Sequence, residues 1–209
     1  MTKKITTLCC TVAMLATTAA TPALSQSKNF AGPSFSVYAL NNKGTVVADD
    51  GSQTLTAKDT KFAYGLDAAY TFGLQNNFFV TLGATYQIND TSFGKFTDST
   101  DEDRVSSYEN TKQHSYYISP MFALNDNTAL FLKASLNTIN IVETYDSTDK
   151  LDIKIKDKVG YGLGVQHMFN KNLFAKLEYE KIDFGSKTVA DVKYSPETEG
   201  FKIGIGYKF

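Results

Sequence analysis

The most constraining feature of the chain is a two-residue alternation of apolar side chains with small or polar ones. It is clearest in 62–74, where Phe62, Tyr64 and Leu66 begin an apolar series that alanine, glycine, aspartate and threonine interrupt. Successive side chains of a β-strand point to opposite faces, so the pattern predicts a strand with one apolar face. With 62–74, seven further segments make eight predicted strands: 35–40, 80–88, 116–124, 130–138, 159–165, 173–181 and 201–209.

The connections between these strands alternate in length. Three short ones are rich in asparagine, which tolerates positive φ and favours tight turns: Gln75-Asn76-Asn77, Asn125-Asp126-Asn127 and Asn170-Lys171-Asn172. Four long polar connections lie near 42–60, 89–113, 143–156 and 183–198. Short turns on one side and long loops on the other are typical of membrane barrels. The sequence therefore predicts an all-β, eight-stranded antiparallel up-and-down transmembrane β-barrel with short periplasmic turns and long extracellular loops.

The two faces of the predicted strands differ in side-chain size and charge. One face is bulky and aromatic, whereas the other carries eight of the 14 glycines together with charged residues. A soluble, lipocalin-like barrel is the alternative, but it would place large side chains inside and charges outside. Small and charged residues on one face fit the narrow lumen of an eight-stranded barrel. The predicted lumen network consists of Asp67, Lys133, Lys176, Glu178, Glu180, Lys202 and Lys208.

Charges in such a lumen must be paired, because desolvating a single charge costs several kcal/mol. We expect Glu178 and Glu180 to face Lys202 on the next strand and Lys176 on their own strand. Two roles are open for these pairs. They can form a polar plug that keeps the barrel closed, which we favour, or a gated ion path in which the pairs exchange partners.

The N-terminus predicts export. Lys3 and Lys4 precede an apolar stretch from Ile5 to about Ala20, and small residues follow. This layout indicates a signal peptide, 1–25, cleaved between Ser25 and Gln26, which leaves a barrel domain at 26–209. A single membrane anchor is the alternative, but the stretch is too short and weakly apolar to span. Cleavage would leave 209 − 25 = 184 residues, without either cysteine and with a net charge of −1 − 2 = −3.

Catalytic and metal sites are not favoured by the pattern. The mature chain would lack a cysteine nucleophile or thiolate ligand, and its charge does not favour nucleic acid. His114 and Ser115 would point to opposite faces of a strand, and His167 lies beside the third short turn. One long loop is acidic but lacks the glycine and spacing of a calcium loop, so we expect it to be solvated: Asp98, Asp101, Glu102 and Asp103. We expect no catalytic residue, metal or cofactor.

Strands five and six are predicted to continue above the membrane as a ribbon. Leu151, Ile153 and Ile155 lie in phase with Val159 and Tyr161, and the isoleucines at 139 and 141 extend strand five. A ribbon exposes backbone that can pair with a partner strand. The alternative is a hairpin that binds nothing.

Pro120 fits its predicted strand poorly. Proline lacks the N–H that a β-ladder uses, and a closed barrel has no free edge. A bulge at Pro120, or a position near the periplasmic turn, would accommodate it.

The last nine residues, Phe201-Lys-Ile-Gly-Ile-Gly-Tyr-Lys-Phe209, resemble the terminal strand that the barrel assembly machinery recognises in small outer-membrane barrels. That family includes the membrane domain of outer membrane protein A, outer membrane protein X and the opacity proteins. Segments 117–123 and 173–179 are also similar, and the resemblance covers most of 30–209. It implies an assembly signal made of alternating residues: Phe201, Ile203, Ile205, Tyr207 and Phe209.

The resemblance also implies a location and partners. The protein would lie in the outer membrane of a Gram-negative cell, surrounded by lipid and lipopolysaccharide. Its ribbon is similar to the protruding sheet of the outer membrane protein X group, which implies adhesion or defence. We therefore expect a non-enzymatic surface protein that stabilises the envelope or contacts a host, a neighbouring cell or a ligand through its loops. The alternative is a small porin-like channel for ions or small solutes.

Overall fold

The computed structural model describes residues 29–75, 77–97, 105–145, 149–189 and 191–209. The predicted signal peptide 1–25, its cleavage position at Ser25 and Gln26, and the acidic residues of 98–103 lie outside the described residues. Within the described ranges no helix is long and apolar enough to cross a membrane.

The fold is a ring of antiparallel strands. Its ten strand segments are β1 (Gly32–Asp49), β2 (Thr54–Gly73), β3 (Phe78–Gln87), β4 (Thr91–Thr97), β5 (Val105–Ala123), β6 (Thr128–Tyr145), β7 (Asp149–Met168), β8 (Leu173–Asp183), β9 (Lys187–Val189) and β10 (Val192–Lys208). The order β1-β2-β3-β5-β6-β7-β8-β10 closes through pairing of β10 with β1. β4 continues the position of β3 beside β5, and β9 adds a short segment to β10. The predicted eight-stranded antiparallel barrel is confirmed.

The three predicted asparagine turns join β2 to β3, β5 to β6 and β7 to β8. In the first, Asn77 has the positive φ of 70° that asparagine tolerates. The other two use the asparagine side chain instead: Asn125 Oδ1 accepts hydrogen bonds from the backbone of Asn127 and Thr128, both under 3.0 Å. Asn170 does the same at its own turn. At the periplasmic end, asparagine therefore stabilises turns in two ways: its backbone adopts positive φ, or its side chain accepts backbone hydrogen bonds.

The long extracellular connections consist mostly of strand, so the strands extend beyond their predicted bounds. β1 and β2 pair up to Asp49 and Thr54, and β6 and β7 pair up to Tyr145 and Asp149. The outward side chains in these upper parts are mostly threonine, asparagine, lysine and aspartate, because they face water instead of lipid. A polar outward face removed the strong alternation and made the strands look like loops.

The upper part of β7 also has the opposite phase to the one predicted. Val159 and Tyr161 are 44% and 68% exposed, whereas Ile153 and Ile155 are 0% and 3% exposed. Between them, Asp157 has a φ of 57° and the register with β6 shifts by one residue. Such a β-bulge reverses the face of every residue beyond it. The isoleucines therefore point into the molecule.

Pro120 lies three residues before the end of β5, opposite Val80 of β3, and the register shows no bulge there. The Ser119 hydroxyl donates a hydrogen bond of 2.5 Å to the carbonyl of Leu132 on β6. This bond satisfies a carbonyl that the proline cannot reach with an N–H, and the register of β5 with β6 is the same at Ile118 and at Met121, on either side of the proline.

The ring changes character above the membrane. The ladder of β2 with β3 ends at Gly65 and Gln87, followed by one backbone hydrogen bond from Ile88 to Tyr64. The ladder of β7 with β8 ends at Gly160. Among the described residues, the upper strands therefore pair as two facing four-stranded sheets, β4-β5-β6-β7 and β9-β10-β1-β2. Above the membrane, the closed barrel thus continues as a β-sandwich of two facing sheets.

Candidate functional site

The interior is stacked in layers, which β6 crosses from end to end. Its inward side chains alternate without interruption and are all buried: Ala129, Phe131, Lys133, Ser135, Asn137, Ile139, Ile141 and Glu143. The layers are thus apolar, then polar, then apolar again, with one acid at the top. An ion or solute crossing the interior would meet each of these layers in turn.

The periplasmic end is closed by an apolar cluster inside the barrel. This periplasmic cluster consists of Phe30, Phe79, Met121, Ala123, Ala129, Phe131, Met168 and Phe174. Phe30 precedes β1, and its ring meets the ring of Phe79 edge-on at a centroid distance of 5.6 Å. The residues before the first strand therefore contribute a side chain to the barrel end.

Four charged side chains form the centre of the polar layer. Lys133 Nζ lies 2.8 Å from Glu178 Oε1 and also contacts Glu180. Lys202 Nζ lies 2.8 Å from Glu180 Oε2 and 3.9 Å from Glu178 Oε1. All four side chains are less than 10% exposed. Each buried charge therefore contacts two charges of opposite sign, which is the condition for keeping ions in a desolvated lumen.

Lys176 has a different partner from the one predicted. Its ammonium lies 3.4 Å from Asp67 Oδ2 across the lumen, because strands distant in sequence approach each other in a narrow barrel. Tyr117 donates a hydrogen bond of 2.9 Å to the other oxygen of Asp67. Lys208 is not in this layer: it lies at the periplasmic end of β10, where Nζ donates to the Ala31 carbonyl at 3.1 Å. Its place in the predicted lumen network stays a prediction.

Aromatic rings fill the space that the lumen glycines leave. A Cβ at Gly83 would lie 2.4 Å from the ring of Tyr117, and one at Gly65 would lie 2.3 Å from Tyr38. Lys133 and Lys202 sit over these two rings at 5.0 and 4.8 Å from the centroids, a cation–π geometry. These inward tyrosines were not predicted from the sequence. Glycines at lumen positions of neighbouring strands were the signal that large partners lie opposite them.

Little space remains in the polar layer. The cavity there has a volume of about 10 Å³ and is bordered by Asp67, Tyr117, Lys133, Lys176 and Glu178. A cavity of this volume holds about one water molecule. Side chains therefore fill most of the space around this cavity.

A second apolar cluster fills the space between the two upper sheets. This extracellular core consists of Val46, Ala48, Ala57, Phe93, Phe96, Tyr108, Ile139, Ile141, Ile153, Ile155, Ile182, Phe184 and Tyr194. Phe93 of β4 packs against Gly44 of β1, where a Cβ would lie 2.9 Å from its ring. β4 therefore packs inward against β1.

One carboxylate is buried in this extracellular core. Glu143 is 1% exposed and accepts hydrogen bonds from the hydroxyls of Tyr108 and Tyr194, the latter at 2.7 Å. Tyr108 and Glu143 belong to one sheet and Tyr194 to the other. The acid therefore links the two sheets through their core.

The outward surface divides into a lipid-facing band and a polar band above it. The terminal-strand residues face outward with exposures of 49–71%: Phe201, Ile203, Ile205, Tyr207 and Phe209. Above them, Glu199 pairs with Lys43 at 2.7 Å and accepts a hydrogen bond from the Tyr179 hydroxyl. These two partners lower the pKa of Glu199. An ion pair of this kind marks water at the upper rim.

The histidines do not form a catalytic arrangement with Ser115. Ser115 points inward and hydrogen-bonds Thr85 at 2.6 Å, whereas His114 lies on the outward face beside Tyr116. His167 Nδ1 lies 3.0 Å from the Thr128 hydroxyl at the periplasmic end. Within the described ranges no group of three His, Cys, Asp or Glu residues could hold a metal.

The whole chain was compared with known proteins. Residues 7–209 match the outer membrane protein beta-barrel domain. The chain belongs to this family. Members are outer-membrane barrels, so the protein is placed in the outer membrane of a Gram-negative cell. A search for similar sequences among curated proteins found none.

Several solved structures are similar to this chain, and Neisserial surface protein A agrees with the barrel fold of the family. Neisserial surface protein A is similar with a TM-score of 0.50 and 18% identity, over 85% of this chain and 99% of that one. The attachment invasion locus protein Ail of Yersinia pestis has a TM-score of 0.48 and 19% identity, over 84% and 98% of the two chains. The outer membrane protease OmpT of Escherichia coli has a TM-score of 0.46 and 9% identity, over 85% and 96%.

Proposed function

We propose that this outer-membrane barrel is a non-enzymatic surface protein that acts through its extracellular sandwich. The observation that carries the proposal is the layered interior: two apolar clusters lie below and above a polar layer, and the cavity beside Asp67 and Lys176 in that layer holds about one water molecule. With the interior filled, the residues above the membrane are what the protein presents to the outside. They would contact a host, a neighbouring cell or a ligand, or stabilise the envelope.

A small channel for ions or solutes is the second candidate, and the polar layer is what favours it. Lys133, Glu178, Glu180 and Lys202 could exchange partners as an ion passes. The path would also have to open both the periplasmic cluster and the extracellular core, however. Desolvating an ion beside apolar side chains costs several kcal/mol, so we prefer the closed barrel.

Single-channel recording in planar bilayers tests this choice. We expect no conductance steps from the full chain above those of a protein-free bilayer. Steps that Glu178→Gln or Lys202→Met abolishes would support the channel and contradict the closed barrel. Heat-modified mobility on gels provides the control that each variant is folded.

The surface role has its own test in cells that display the protein. Replacing the upper β6–β7 hairpin, residues 138–158, with a two-residue turn leaves the membrane part of the ring in place. We expect adherence to other cells or to immobilised surface ligands to fall to the level of cells without the protein. Unchanged adherence would contradict a role for the sandwich.

The same proposal includes lipid, lipopolysaccharide and the barrel assembly machinery as partners. The outward apolar band fits a lipid environment, and the alternating terminal strand ending in Phe209 supports recognition during assembly. These partners stay predictions.

A further inference from the structure

The first and last strands of the ring meet at a seam that no turn connects. Three asparagine turns join neighbouring strands at the periplasmic end, whereas β1 and β10 pair there as the two ends of the barrel. Just below their ladder, the Phe209 amide donates a hydrogen bond of 2.9 Å to the Pro33 carbonyl. Lys208 Nζ donates to the Ala31 carbonyl at 3.1 Å. The residues that lead into β1 are therefore held by the end of β10.

Residues 29–31, which we call the periplasmic strap, cross the mouth of the barrel. At one end of the strap, Ala31 is held at the seam. At the other end, Asn29 Nδ2 donates a hydrogen bond of 2.9 Å to the Asp126 carbonyl, in the turn between β5 and β6. This turn lies on the opposite side of the ring from β1. Between the two ends, the side chain of Phe30 enters the periplasmic cluster and is only 2% exposed.

The strap can move without breaking a β-ladder. The ladder of β1 with β2 begins at Gly32, and its ladder with β10 begins at Ser34. In the described part of the chain, the strap makes no hydrogen bond from backbone to backbone. Gly32 has a φ of 118°, a conformation that suits glycine, and it marks the hinge between the strap and β1. Among the described residues of the periplasmic cluster, Phe30 alone lies outside a strand.

The cavity of the polar layer begins directly above the periplasmic cluster. Met121 and Phe131 belong to the cluster and also border this cavity. Thr81 borders it as well, as the next inward residue of β3 above Phe79. One layer of apolar side chains thus separates the strap from the buried ion pairs. On the other side of those pairs, the extracellular core lies between them and the outside.

We propose that the periplasmic strap is a gate that opens and closes the lower end of the lumen. In the closed position, which the structure shows, the Phe30 ring completes the periplasmic cluster. In the open position the strap swings out about Gly32, and periplasmic water and small ions reach the pair of Asp67 and Lys176. The extracellular core stays closed, so the lumen opens to the periplasm alone and passes nothing through. This inference goes beyond the surface role and does not depend on it.

The few contacts of the strap determine how strongly it is held. Burial of the Phe30 side chain favours the closed position by about 10- to 100-fold. The hydrogen bonds of Asn29 and of Lys208 each add about 2- to 10-fold. The loss of backbone freedom in three residues acts against closure. The closed position is therefore favoured by a modest margin, which one or two substitutions can remove.

Cysteine labelling of Thr81→Cys from the two sides of the membrane tests the gate. A membrane-impermeant maleimide is applied to intact cells, and to cells whose outer membrane has been opened by osmotic shock so that the reagent reaches the periplasm. The chain without Thr81→Cys gives the background. We expect slow labelling when the reagent reaches the periplasm and none in intact cells. Labelling as fast as that of an exposed cysteine would show that the strap closes nothing and overturn the proposal.

Substitutions in the strap should change the rate of this labelling. Phe30→Ala removes the ring that completes the cluster and should speed labelling from the periplasm about a hundredfold. Phe78→Ala is the matched control, because Phe78 lies at the same end of the barrel but is 53% exposed on the outward face. It should leave the rate unchanged. Heat-modified mobility on gels shows that each variant is folded.

A double variant loosens the strap without touching the periplasmic cluster. Asn29→Ala with Lys208→Met removes both hydrogen bonds of the strap and keeps the Phe30 ring, so the barrel should fold even if Phe30→Ala does not. We expect labelling from the periplasm to be about tenfold faster than in the parent. Labelling of intact cells should stay at background.

The outcomes separate this inference from the proposed function. An unchanged labelling rate in the folded double variant would overturn the gate, as would an unchanged rate in folded Phe30→Ala. Faster labelling in intact cells as well would show that the lumen opens at both ends, which overturns a gate to the periplasm alone. Adherence of cells that lack the upper β6–β7 hairpin concerns the surface role alone, whatever the strap does.

Discussion

The lower and upper halves of β6 follow opposite rules, although they belong to one strand with one uninterrupted alternation. In the membrane, Leu132 and Leu136 face outward while Lys133 and Ser135 face inward. Above the membrane, Asn140 and Thr144 face outward while Ile139 and Ile141 face inward. The backbone is the same in both halves. The surrounding solvent decides which face is apolar, because lipid accepts leucine and water does not.

The comparison also shows two ways to hold a core together. The membrane half combines the apolar periplasmic cluster with a layer of paired charges, whereas the extracellular half is held by buried apolar area with one acid. Removing a side chain should therefore have different consequences in the two halves.

The largest effect is expected from breaking the charge cluster of the membrane half. Lys133→Met removes a cation that both Glu178 and Glu180 contact. Lys202 alone then faces both glutamates, and the one buried negative charge left unbalanced costs about 3–5 kcal/mol of unfolding free energy. Urea unfolding in detergent micelles, followed by heat-modified gel mobility, measures the loss. A double variant, Lys133→Met with Glu180→Leu, should recover much of the lost unfolding free energy. No recovery would mean that the loss comes from packing and not from charge pairing.

A lysine scan on the outward face sharpens the boundary between the halves. Leu132→Lys places a charge against lipid and should cost about 2–4 kcal/mol near the bilayer centre. Val142→Lys places the same charge in water, where surface substitutions change stability by about 0.5 kcal/mol or less. Folding efficiency into liposomes at graded urea concentrations compares the two variants. Equal losses of folding free energy in the two variants would place Val142 in the membrane and contradict the difference between the two halves of β6.

The acid of the extracellular half should have a smaller effect. Tyr194→Phe removes the hydrogen bond that joins Glu143 to the opposite sheet. Leaving a buried acceptor short of one donor costs about 1–3 kcal/mol. A double-mutant cycle with Glu143→Gln isolates the pair. Additive losses would indicate that the two sheets are not linked through this contact.

The smallest effect is expected at the bulge that separates the halves on β7. Asp157 has positive φ, which costs L-residues about 1–2 kcal/mol and β-branched residues most. Asp157→Val should therefore destabilise the fold by that amount, while Asp157→Gly should be neutral or slightly stabilising. The thermal midpoint of the circular dichroism signal in micelles checks both variants. A tolerated valine would contradict the bulge.

The membrane half could be predicted from the sequence because its alternation is strong. Phe62 to Leu74 alternate apolar with small residues, and the structure places them in β2 and the residue after it. The upper strands could not be predicted, because threonine and lysine facing water resemble a loop. The phase of Ile153 depended on a bulge at Asp157, and nothing in the spacing of the apolar residues indicates an extra residue there.

Most residues of the candidate site could be predicted from the sequence, but several of the contacts between them could not. Glu178, Glu180 and Lys202 could be placed together because neighbouring strands pair at known offsets. The pairing of Lys176 with Asp67 crosses the lumen between strands far apart in sequence, and only the closed ring brings them together. The inward rings of Tyr38 and Tyr117 were missed for the same reason, since the glycines they cover lie on other strands.

The central claim is that the lumen is sealed and that the sandwich above it is exposed to the outside of the cell. Cysteine labelling along β6 tests this claim most directly. Ser135→Cys is a conservative change at a buried lumen position, and Val142→Cys lies on the outward face of the sandwich. The only cysteines of the sequence are Cys9 and Cys10, in the predicted signal peptide. With a membrane-impermeant maleimide applied to intact cells, we predict that Val142→Cys reacts and Ser135→Cys does not. Reaction of Ser135→Cys at the rate of Val142→Cys would show an open lumen and contradict the claim.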